Sequence, residues 1–169
     1  MVTLAEYLGS EYGSASALRI EPPESEEQIV RAYLLYLQSL PAEARDFDAT
    51  EGNARYMVES MLGPAWKRGE PILFAVMGET IVGATFTTLV PKQLTTPRPA
   101  AWGHGTWVRE DMRGQGVARA LMEAVRGRLR AVGVVRQIGQ AHIDNHKSLA
   151  SFQAMGFSPC GAILENKHI

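Results

Sequence analysis

The sequence lacks the features that mark secreted, membrane-bound and disulfide-stabilised proteins. Its single cysteine, Cys160, excludes a disulfide within the chain and a metal site built from several cysteines. No apolar run approaches the roughly 18 residues that a membrane-spanning helix needs. The first residues have no basic start and carry Glu6 and Glu11 where a signal peptide is apolar. We therefore expect a cytoplasmic protein without membrane contact.

Metal ligands and a nucleic-acid-binding pattern are missing too. His142, His146 and His168 have no companions at the spacing that metal sites require, so we expect no metal. The arginines within residues 126–130 lie along a predicted helix face without interleaved aromatic residues, so nucleic acid is not an expected partner. Cys160 lies in an apolar context and is expected to pack in the core rather than to form an acyl-cysteine.

What remains is an ordinary globular composition with an uneven distribution of charge. The 169 residues are 46% hydrophobic and 21% charged, which suits one domain over residues 1–169, with residues 1–16 as an N-terminal extension. Residues 1–60 carry 11 acids and 4 bases, whereas residues 61–169 carry 7 acids and 13 bases. The basic part suits a phosphate-rich ligand and the acidic part a cationic one, unless both are simply solvated faces.

Hydrophobic periodicity predicts elements in the order β-α-α-β-β-β-α-β-α-β, which is a mixed α/β sheet covered by helices. Ser25 and Gln28 resemble a capping box at the start of the first helix. Gly78 and Glu79 suit a tight hairpin turn between two strands. Three prolines place residues 91–99 in a loop. The predicted elements span residues 17–20, 25–40, 54–63, 72–76, 81–89, 101–108, 116–131, 134–143 and 145–155, with a last strand within 157–169.

The most informative segment joins the strand that ends at Val108 to the helix that begins at Gly116. A helix N-terminus presents unpaired backbone N–H groups and the positive end of the helix dipole, which suits an anion. Gly114, Gly116 and Ala118 leave room for a pyrophosphate to approach the backbone, and Arg113 adds a charged donor. The alternative is that the two glycines only make a tight turn.

Two familiar phosphate motifs do not fit this segment. The pattern GxxxxGK[ST] is absent, which excludes a nucleotide-hydrolysing P-loop. Gly114-Gln115-Gly116 lacks the third glycine of the dinucleotide fingerprint, and no acidic residue follows about 20 positions later. A phosphate-binding domain for a different nucleotide stays open as an alternative.

Two spaced segments give the chain a resemblance to a known family. Arg113-x-x-Gly116-x-Ala118 matches the acyl-CoA signature of the GNAT family of N-acetyltransferases. The segment from Asn145 to Phe157 resembles that family's Asn-x-x-Ala/Ser-x-x-x-Tyr-x-x-x-Gly-Phe pattern. The resemblance implies an acetyl-CoA-dependent N-acetyltransferase. It also implies a central, mostly antiparallel sheet with one parallel, splayed strand pair, flanked by about four helices.

The resemblance further implies which residues hold acetyl-CoA. The strand ending at Val108 and the strand starting at Val134 would diverge, and backbone groups around Val108 would pair with the pantetheine arm. The Val108 N–H would polarise the thioester carbonyl. Asn145 would hydrogen-bond the pantetheine arm, which is compatible with a role as a simple helix cap. The implied binding residues are Trp107, Val108, Arg109, Arg113, Gly114, Gln115, Gly116, Val117, Ala118, Asn145, Ser148 and Phe152.

His104 is the candidate base. It lies nine residues before Arg113, where some family members project a catalytic histidine, and Gly103 and Gly105 flank it. An imidazole with an ordinary pKa of about 6.5 suits accepting a proton from an amine, and the alternative is a hydrogen-bonded structural histidine. Phe152 stands where the family often has a proton-donating tyrosine. The departing thiolate would then take its proton from water or another side chain, or leave unaided.

The acceptor is expected to be an amine of a small molecule or a peptide. All five tyrosines fall in the acidic first 60 residues, where acids and aromatic faces suit a cationic amine, although Tyr33 is expected to pack in the core. Only 12 residues follow Phe157, so the sheet is expected to end early at an edge that a homodimer would cover. A catalytically silent acyl-CoA-binding module is the alternative function.

Overall fold

The computed structural model describes residues 17–42, 48–90, 99–141 and 145–160. The expected N-terminal extension, most of the predicted loop over residues 91–99 and most of the predicted last strand lie outside these residues. The described elements are β1 (Arg19–Glu21), α1 (Glu26–Ser39), α2 (Glu51–Met57), a π-helical turn (Val58–Leu62), α3 (Gly63–Lys67), β2 (Ile72–Met77), β3 (Thr80–Leu89), β4 (Ala100–Val108), a 3-10 turn (Glu110–Met112), α4 (Val117–Ala131), β5 (Arg136–Gly139) and α5 (His146–Ala154).

Five strands form one sheet in the order β1-β2-β3-β4-β5. The pairs from β1 to β4 are antiparallel, and β5 pairs parallel with β4. The chain passes from β4 to β5 through α4, because a parallel pair needs a crossover connection. The predicted mixed α/β sheet with one parallel strand pair is confirmed.

The strands β2, β3 and β4 each contribute to two cores, because alternate side chains point to opposite faces of the sheet. In β2, Phe74 packs under α1 and α2, whereas Leu73 and Ala75 pack under α4. We call these two sides the α1 face and the α4 face. The buried residues of α1 recur at helical spacing on the side that faces the sheet: Ile29, Val30, Ala32, Tyr33 and Leu37.

The start of α1 agrees with the predicted capping signal. The Ser25 hydroxyl accepts a hydrogen bond from the Gln28 N–H at 3.3 Å. The Gln28 side chain accepts from the backbone N–H of Glu24 at 2.9 Å, one residue before the position of a standard capping box. The first contact satisfies a donor that the helix start leaves unpaired, and the second ties the residue before the cap to the first turn.

The second predicted helix does not end near Gly63-Pro64, and this expectation was wrong. The chain passes from α2 through the π-helical turn directly into α3, which begins at Gly63. Proline is tolerated there because the first residues of a helical segment do not need their N–H groups. A Cβ at Gly63 would lie 2.9 Å from the Val58 carbonyl and closer still to the Glu26 carboxylate, so glycine lets α1 pack against this turn.

The remaining differences concern strand ends and one cysteine. β5 covers Arg136–Gly139, whereas the predicted strand spanned residues 134–143, part of which lies outside the described residues. Residues 157–160, where the last strand was predicted to start, are irregular. Cys160 is exposed, so its predicted place in the core was wrong. Within the described part of the chain, no helix is long and apolar enough to cross a membrane.

Candidate active site

The parallel strands β4 and β5 separate part of the way along β4. Their pairing runs from Ala100 opposite Arg136 to Gly103 opposite Gly139. β4 then continues to Val108, and in the described residues this stretch has no neighbour on its β5 side. The separation leaves a wedge beside residues 104–108, whose main-chain groups on that side have no strand to pair with.

The hydrogen-bond pattern of β3 and β4 decides which main-chain groups face this wedge. The Arg109 N–H donates to the Val82 carbonyl at 2.9 Å. In an antiparallel pair successive residues alternate between pointing at the partner strand and away from it. The main-chain groups of Val108 and Thr106 therefore point away from β3, into the wedge. Val108 was singled out from the sequence, whereas Thr106 was missed although it is two residues away on the same side.

Trp107 and Arg109 have their main-chain groups on the other side. Trp107 pairs with Ala84 of β3 and is 8% exposed in the core of the α1 face. The carbonyl of Arg109 accepts from the Met112 N–H at 3.0 Å, so both of its main-chain groups are used within the protein. Its guanidinium pairs with Asp111 at 2.6 and 2.9 Å and lowers the pKa of that carboxyl. The expectation that the main-chain groups of Trp107 and Arg109 bind acetyl-CoA does not fit this arrangement.

The turn before α4 presents an open helix N-terminus. Gly114 and Gly116 adopt φ of 77° and 82°, and no side chain caps the helix at Gly116. The first helical hydrogen bond runs from the Ala120 N–H to the Gly116 carbonyl, so the N–H groups of residues 117–119 have no partner within the helix. A Cβ at Gly114 would meet nothing within 4 Å. This combination of free donors, dipole and open space fits a diphosphate.

Two side chains support this turn from within the protein. The Gln115 side-chain amide donates to the Asp111 carbonyl at 2.8 Å. The Arg113 Nε donates to the Val108 carbonyl at 3.2 Å, which places an exposed guanidinium between the wedge and the helix N-terminus. Val117 is buried in the core under α4, so it offers only its main chain to a ligand.

α5 brings Asn145 and Phe152 to the β5 side of the wedge. Asn145 caps the helix by accepting from the Ser148 N–H at 3.1 Å, as the simple-cap reading predicted. The Phe152 ring covers the end of β5, because a Cβ at Gly139 would lie 2.9 Å from its Cε1 atom. Phe152 also packs edge-on against Phe157, with ring centroids 5.0 Å apart.

His104 stands at a β-bulge on the α1 face. The register changes between Phe86, which pairs with Gly105, and Thr87, which pairs with Gly103, so His104 is the extra residue. Its Nε2 lies 2.8 Å from the Thr88 hydroxyl. Burial lowers the pKa of His104, and the negative charge of Glu70 raises it in part. At neutral pH the imidazole is therefore uncharged, which a base requires.

The ring of Tyr36 occupies the space that a side chain at Gly105, next to His104, would need. Gly105 has a φ of 154°, and a Cβ there would lie 2.6 Å from the Cε1 atom of Tyr36 and closer still to Cζ. Tyr36 therefore lies directly over the bulge. Tyr33 is 4% exposed and packs edge-on against Phe86, so its predicted place in the core is confirmed.

Several acidic side chains among the described residues of the N-terminal part are engaged in ion pairs. Glu26 pairs with Lys67 at 2.9 Å, and Glu27 pairs with Arg55 at 3.1 Å. Arg55 also contacts Glu51 at 3.0 Å. Across residues 17–42, 48–90, 99–141 and 145–160, no cluster of three or more acidic, histidine or cysteine side chains could hold a metal ion.

Comparison with known proteins connects this geometry to enzymes. The model of the Acetyltransferase (GNAT) family matches residues 35–157. No curated protein matches the sequence significantly. The fold is similar to the aminoglycoside 6'-N-acetyltransferase AAC(6')-Ih from Acinetobacter baumannii, with a TM-score of 0.66, 18% identity, and coverage of 90% of this chain and 99% of that one.

Two further solved structures share the fold. The aminoglycoside N-acetyltransferase AAC(6')-Iy, solved in complex with CoA, has a TM-score of 0.65 and 17% identity, covering 94% of this chain and 99% of its own. A ribosomal-protein-alanine N-acetyltransferase from Brucella melitensis has a TM-score of 0.63 and 13% identity, covering 89% and 98%. At these identities the likeness shows the fold.

Proposed function

Because the chain belongs to the Acetyltransferase (GNAT) family, we propose that it transfers the acetyl group of acetyl-CoA to a primary amine. One observation carries the proposal: the main chain of Val108 faces the wedge, where no strand of the described sheet pairs with it, five residues before an uncapped turn at the N-terminus of α4. An extended thioester with a diphosphate at its far end needs those two features side by side. A solved structure of similar fold, AAC(6')-Iy, was obtained with CoA.

In the proposed complex, residues 113–118 bind the pyrophosphate through backbone N–H groups, and Arg113 adds its guanidinium. The main chain of Thr106 and Val108 pairs with the pantetheine arm, as a neighbouring strand would. The side chain of Asn145 caps α5 through its oxygen, which leaves its NH₂ group to donate to the ligand. Acetyl-CoA supplies the activated thioester, and these groups orient it.

The transfer needs one new bond and one broken bond. The neutral amine nitrogen attacks the thioester carbonyl, and the Val108 N–H stabilises the oxygen as it becomes negative. The C–S bond then breaks, which gives an amide and the thiolate of coenzyme A. His104 accepts the proton that the nitrogen loses, directly or through one water. The thiolate takes up one proton, so coenzyme A leaves as a thiol.

The source of that last proton is water in this proposal. The ring of Phe152 covers the end of β5. A tyrosine at this position would offer a hydroxyl proton, whereas phenylalanine has none to donate. A thiol has an ordinary pKa of about 8.5, so its thiolate is a tolerable leaving group without a dedicated acid.

The acceptor approaches from the α1 face, where His104 and Tyr36 lie together. Tyr36 offers an aromatic face next to the base, which suits an ammonium group. The ion pairs of Glu26 and Glu27 leave less free acidic charge than the sequence suggests, so we propose a small amine rather than a highly charged one. The solved relatives include enzymes named for aminoglycosides and for a ribosomal protein, and the two acceptor classes can be compared directly.

The test is release of coenzyme A thiol from acetyl-CoA, followed with a thiol reagent in the presence of each amine. The panel contains an aminoglycoside, a simple diamine and a peptide with a free α-amino group, and mass spectrometry checks for a product heavier by one acetyl group. Amine-dependent thiol release with the acetylated product supports the enzyme. Tight acetyl-CoA binding without release for any amine would favour the silent binding module, which Phe152 permits.

A further inference from the structure

A neighbouring strand, rather than β4 itself, determines how the His104 ring is oriented. Thr88 of β3 is 9% exposed and lies on the same face of the sheet as His104. Its hydroxyl stands 2.8 Å from Nε2, a hydrogen-bond distance. Nδ1 has no hydrogen-bond partner within the described ranges. One ring nitrogen is therefore held by the protein and the other is left open.

The position of Thr88 is itself fixed by a buried carboxylate. Glu70 is 7% exposed, and one of its oxygens accepts from the backbone N–H of Leu89 at 2.7 Å. Leu89 directly follows Thr88, so this contact ties the end of β3 to the segment that precedes β2. The other oxygen of Glu70 accepts from Arg68 at 2.7 Å. Tyr36 of α1 is a further titratable side chain over the bulge.

The hydrogen bond between Thr88 and His104 has two possible directions, and they differ in consequence. If the hydroxyl donates to Nε2, then the neutral ring carries its hydrogen on Nδ1 and has no free lone pair. If Nε2–H donates to the hydroxyl, then Nδ1 carries the lone pair. A hydroxyl also accepts from Nε2–H after Nδ1 has been protonated, so the second direction serves both states of a base.

We infer that Thr88 is a positioning residue for His104: its hydroxyl accepts from Nε2–H, and this leaves Nδ1 as the nitrogen that takes the proton of the acceptor amine. Glu70 supports the arrangement by fixing the β3 segment that carries Thr88. The proton moves from the amine nitrogen to Nδ1 while the new C–N bond forms, and Nε2 keeps its own hydrogen throughout. The role of His104 and Thr88 in the reaction rests on the proposed function, whereas the direction of the hydrogen bond between them does not.

The geometry is tested first, without substrate. The ¹⁵N shifts of the two ring nitrogens distinguish the neutral tautomers, and His104→Gln identifies the signals of this ring. We expect the Nε2–H tautomer at a pH where the ring is neutral. The Nδ1–H tautomer would overturn the inference whether or not the protein is an acetyltransferase.

The same spectra give the titration of the ring in variants. A hydrogen bond to a charged group is stronger than one to a neutral group, so losing the hydroxyl in Thr88→Val lowers the pKa of His104 further. Glu70→Gln keeps a side-chain oxygen for the Leu89 N–H but removes the negative charge, and it also lowers the pKa of His104. Thr87→Val is the matched control, because the buried Thr87 hydroxyl is the adjacent one and has no hydrogen-bond partner.

Kinetics then test the role in the reaction. Thr88→Val should reduce kcat about tenfold to a hundredfold and shift the acid limb of kcat/KM to lower pH, with little change in KM for acetyl-CoA. Thr88→Ser should recover most of the rate, and Thr87→Val should behave as the parent. Equal effects of Thr88→Val and Thr87→Val would refute the positioning role. No turnover by the parent with any amine would instead contradict the proposed function and leave the tautomer result intact.

Discussion

The contact between Gly105 and Tyr36 makes a quantitative prediction, because it shapes the bulge that carries His104. An alanine at position 105 would place its Cβ 2.6 Å from Cε1 of the ring and closer to Cζ, so the ring or the strand must move. Overpacking of this kind costs about 1–3 kcal/mol. The φ of 154° adds backbone strain of about 1–3 kcal/mol. We expect Gly105→Ala to lower the free energy of unfolding by about 3 kcal/mol.

A double-mutant cycle separates the two contributions. In a Tyr36→Ala background the ring is absent, so Gly105→Ala should cost only the backbone strain. The expected coupling between the two positions is about 1–3 kcal/mol. Gly133→Ala serves as a control for backbone strain, because Gly133 has a φ of 76° and nothing within 4 Å of an added Cβ. Its expected cost is about 1–2 kcal/mol.

The assay is equilibrium urea unfolding of the four proteins of the cycle, with thermal unfolding as a second measurement. For a chain of this length a loss of about 3 kcal/mol corresponds to a fall in Tm of about 6–12 °C. If the two substitutions are additive within about 0.5 kcal/mol, Tyr36 does not pack against Gly105 and the described shape of the bulge is refuted.

Four further predictions concern the site and the sheet edge. Asn145→Ala should lower the free energy of unfolding by about 1 kcal/mol and weaken acetyl-CoA binding, whereas Asn145→Asp should keep the helix cap and weaken binding only. Unfolding experiments measure the first effect and calorimetry the second, and normal acetyl-CoA binding by both variants would contradict the prediction. Phe152→Tyr should raise kcat, up to about tenfold, and an unchanged or lower kcat would count against a missing acid. Burial lowers the pKa of His104 in the folded protein, so its contribution to stability is present above pH 6.5 and is lost as the pH falls below that value. Between about pH 7 and about pH 5, His104→Gln should therefore lose less free energy of unfolding than the parent protein. An equal loss in the variant and the parent would refute this prediction. The outer edge of β5 has no partner strand in the described sheet, and light scattering should show a dimer rather than a monomer if that edge is a protein contact.

Local chemistry explains why much of the fold was predictable from the sequence. The cap at Ser25, the hairpin turn at Gly78 and the cap at Asn145 each depend on residues within four positions, and each is present. The turn at Gly114 and Gly116 depends on positive φ angles that favour glycine. Features of this kind are specified by neighbouring residues alone.

The parts that could not be predicted depend on packing between distant segments. The helix continues past Gly63-Pro64, where Glu26 of α1 lies against Gly63, and nothing near Gly63 in the sequence indicates that neighbour. The main-chain N–H of Arg109 is not available to a ligand, because the alternation of hydrogen bonds between β3 and β4 directs it to the Val82 carbonyl. The contact between Thr88 and His104 requires a one-residue bulge in the same pair of strands. Strand register is a tertiary property, so sequence periodicity cannot supply it.

The proposed function requires above all that the turn before α4 binds the diphosphate of acetyl-CoA. The measurement is calorimetric titration of acetyl-CoA into the parent, Gly116→Glu and Gly133→Glu. The two glycines have φ of 82° and 76° at opposite ends of α4, so the variants share a new charge and a similar backbone cost. We expect binding by the parent and by Gly133→Glu, and none by a folded Gly116→Glu. Equal binding by both variants, or no binding by the parent, would contradict the proposed function.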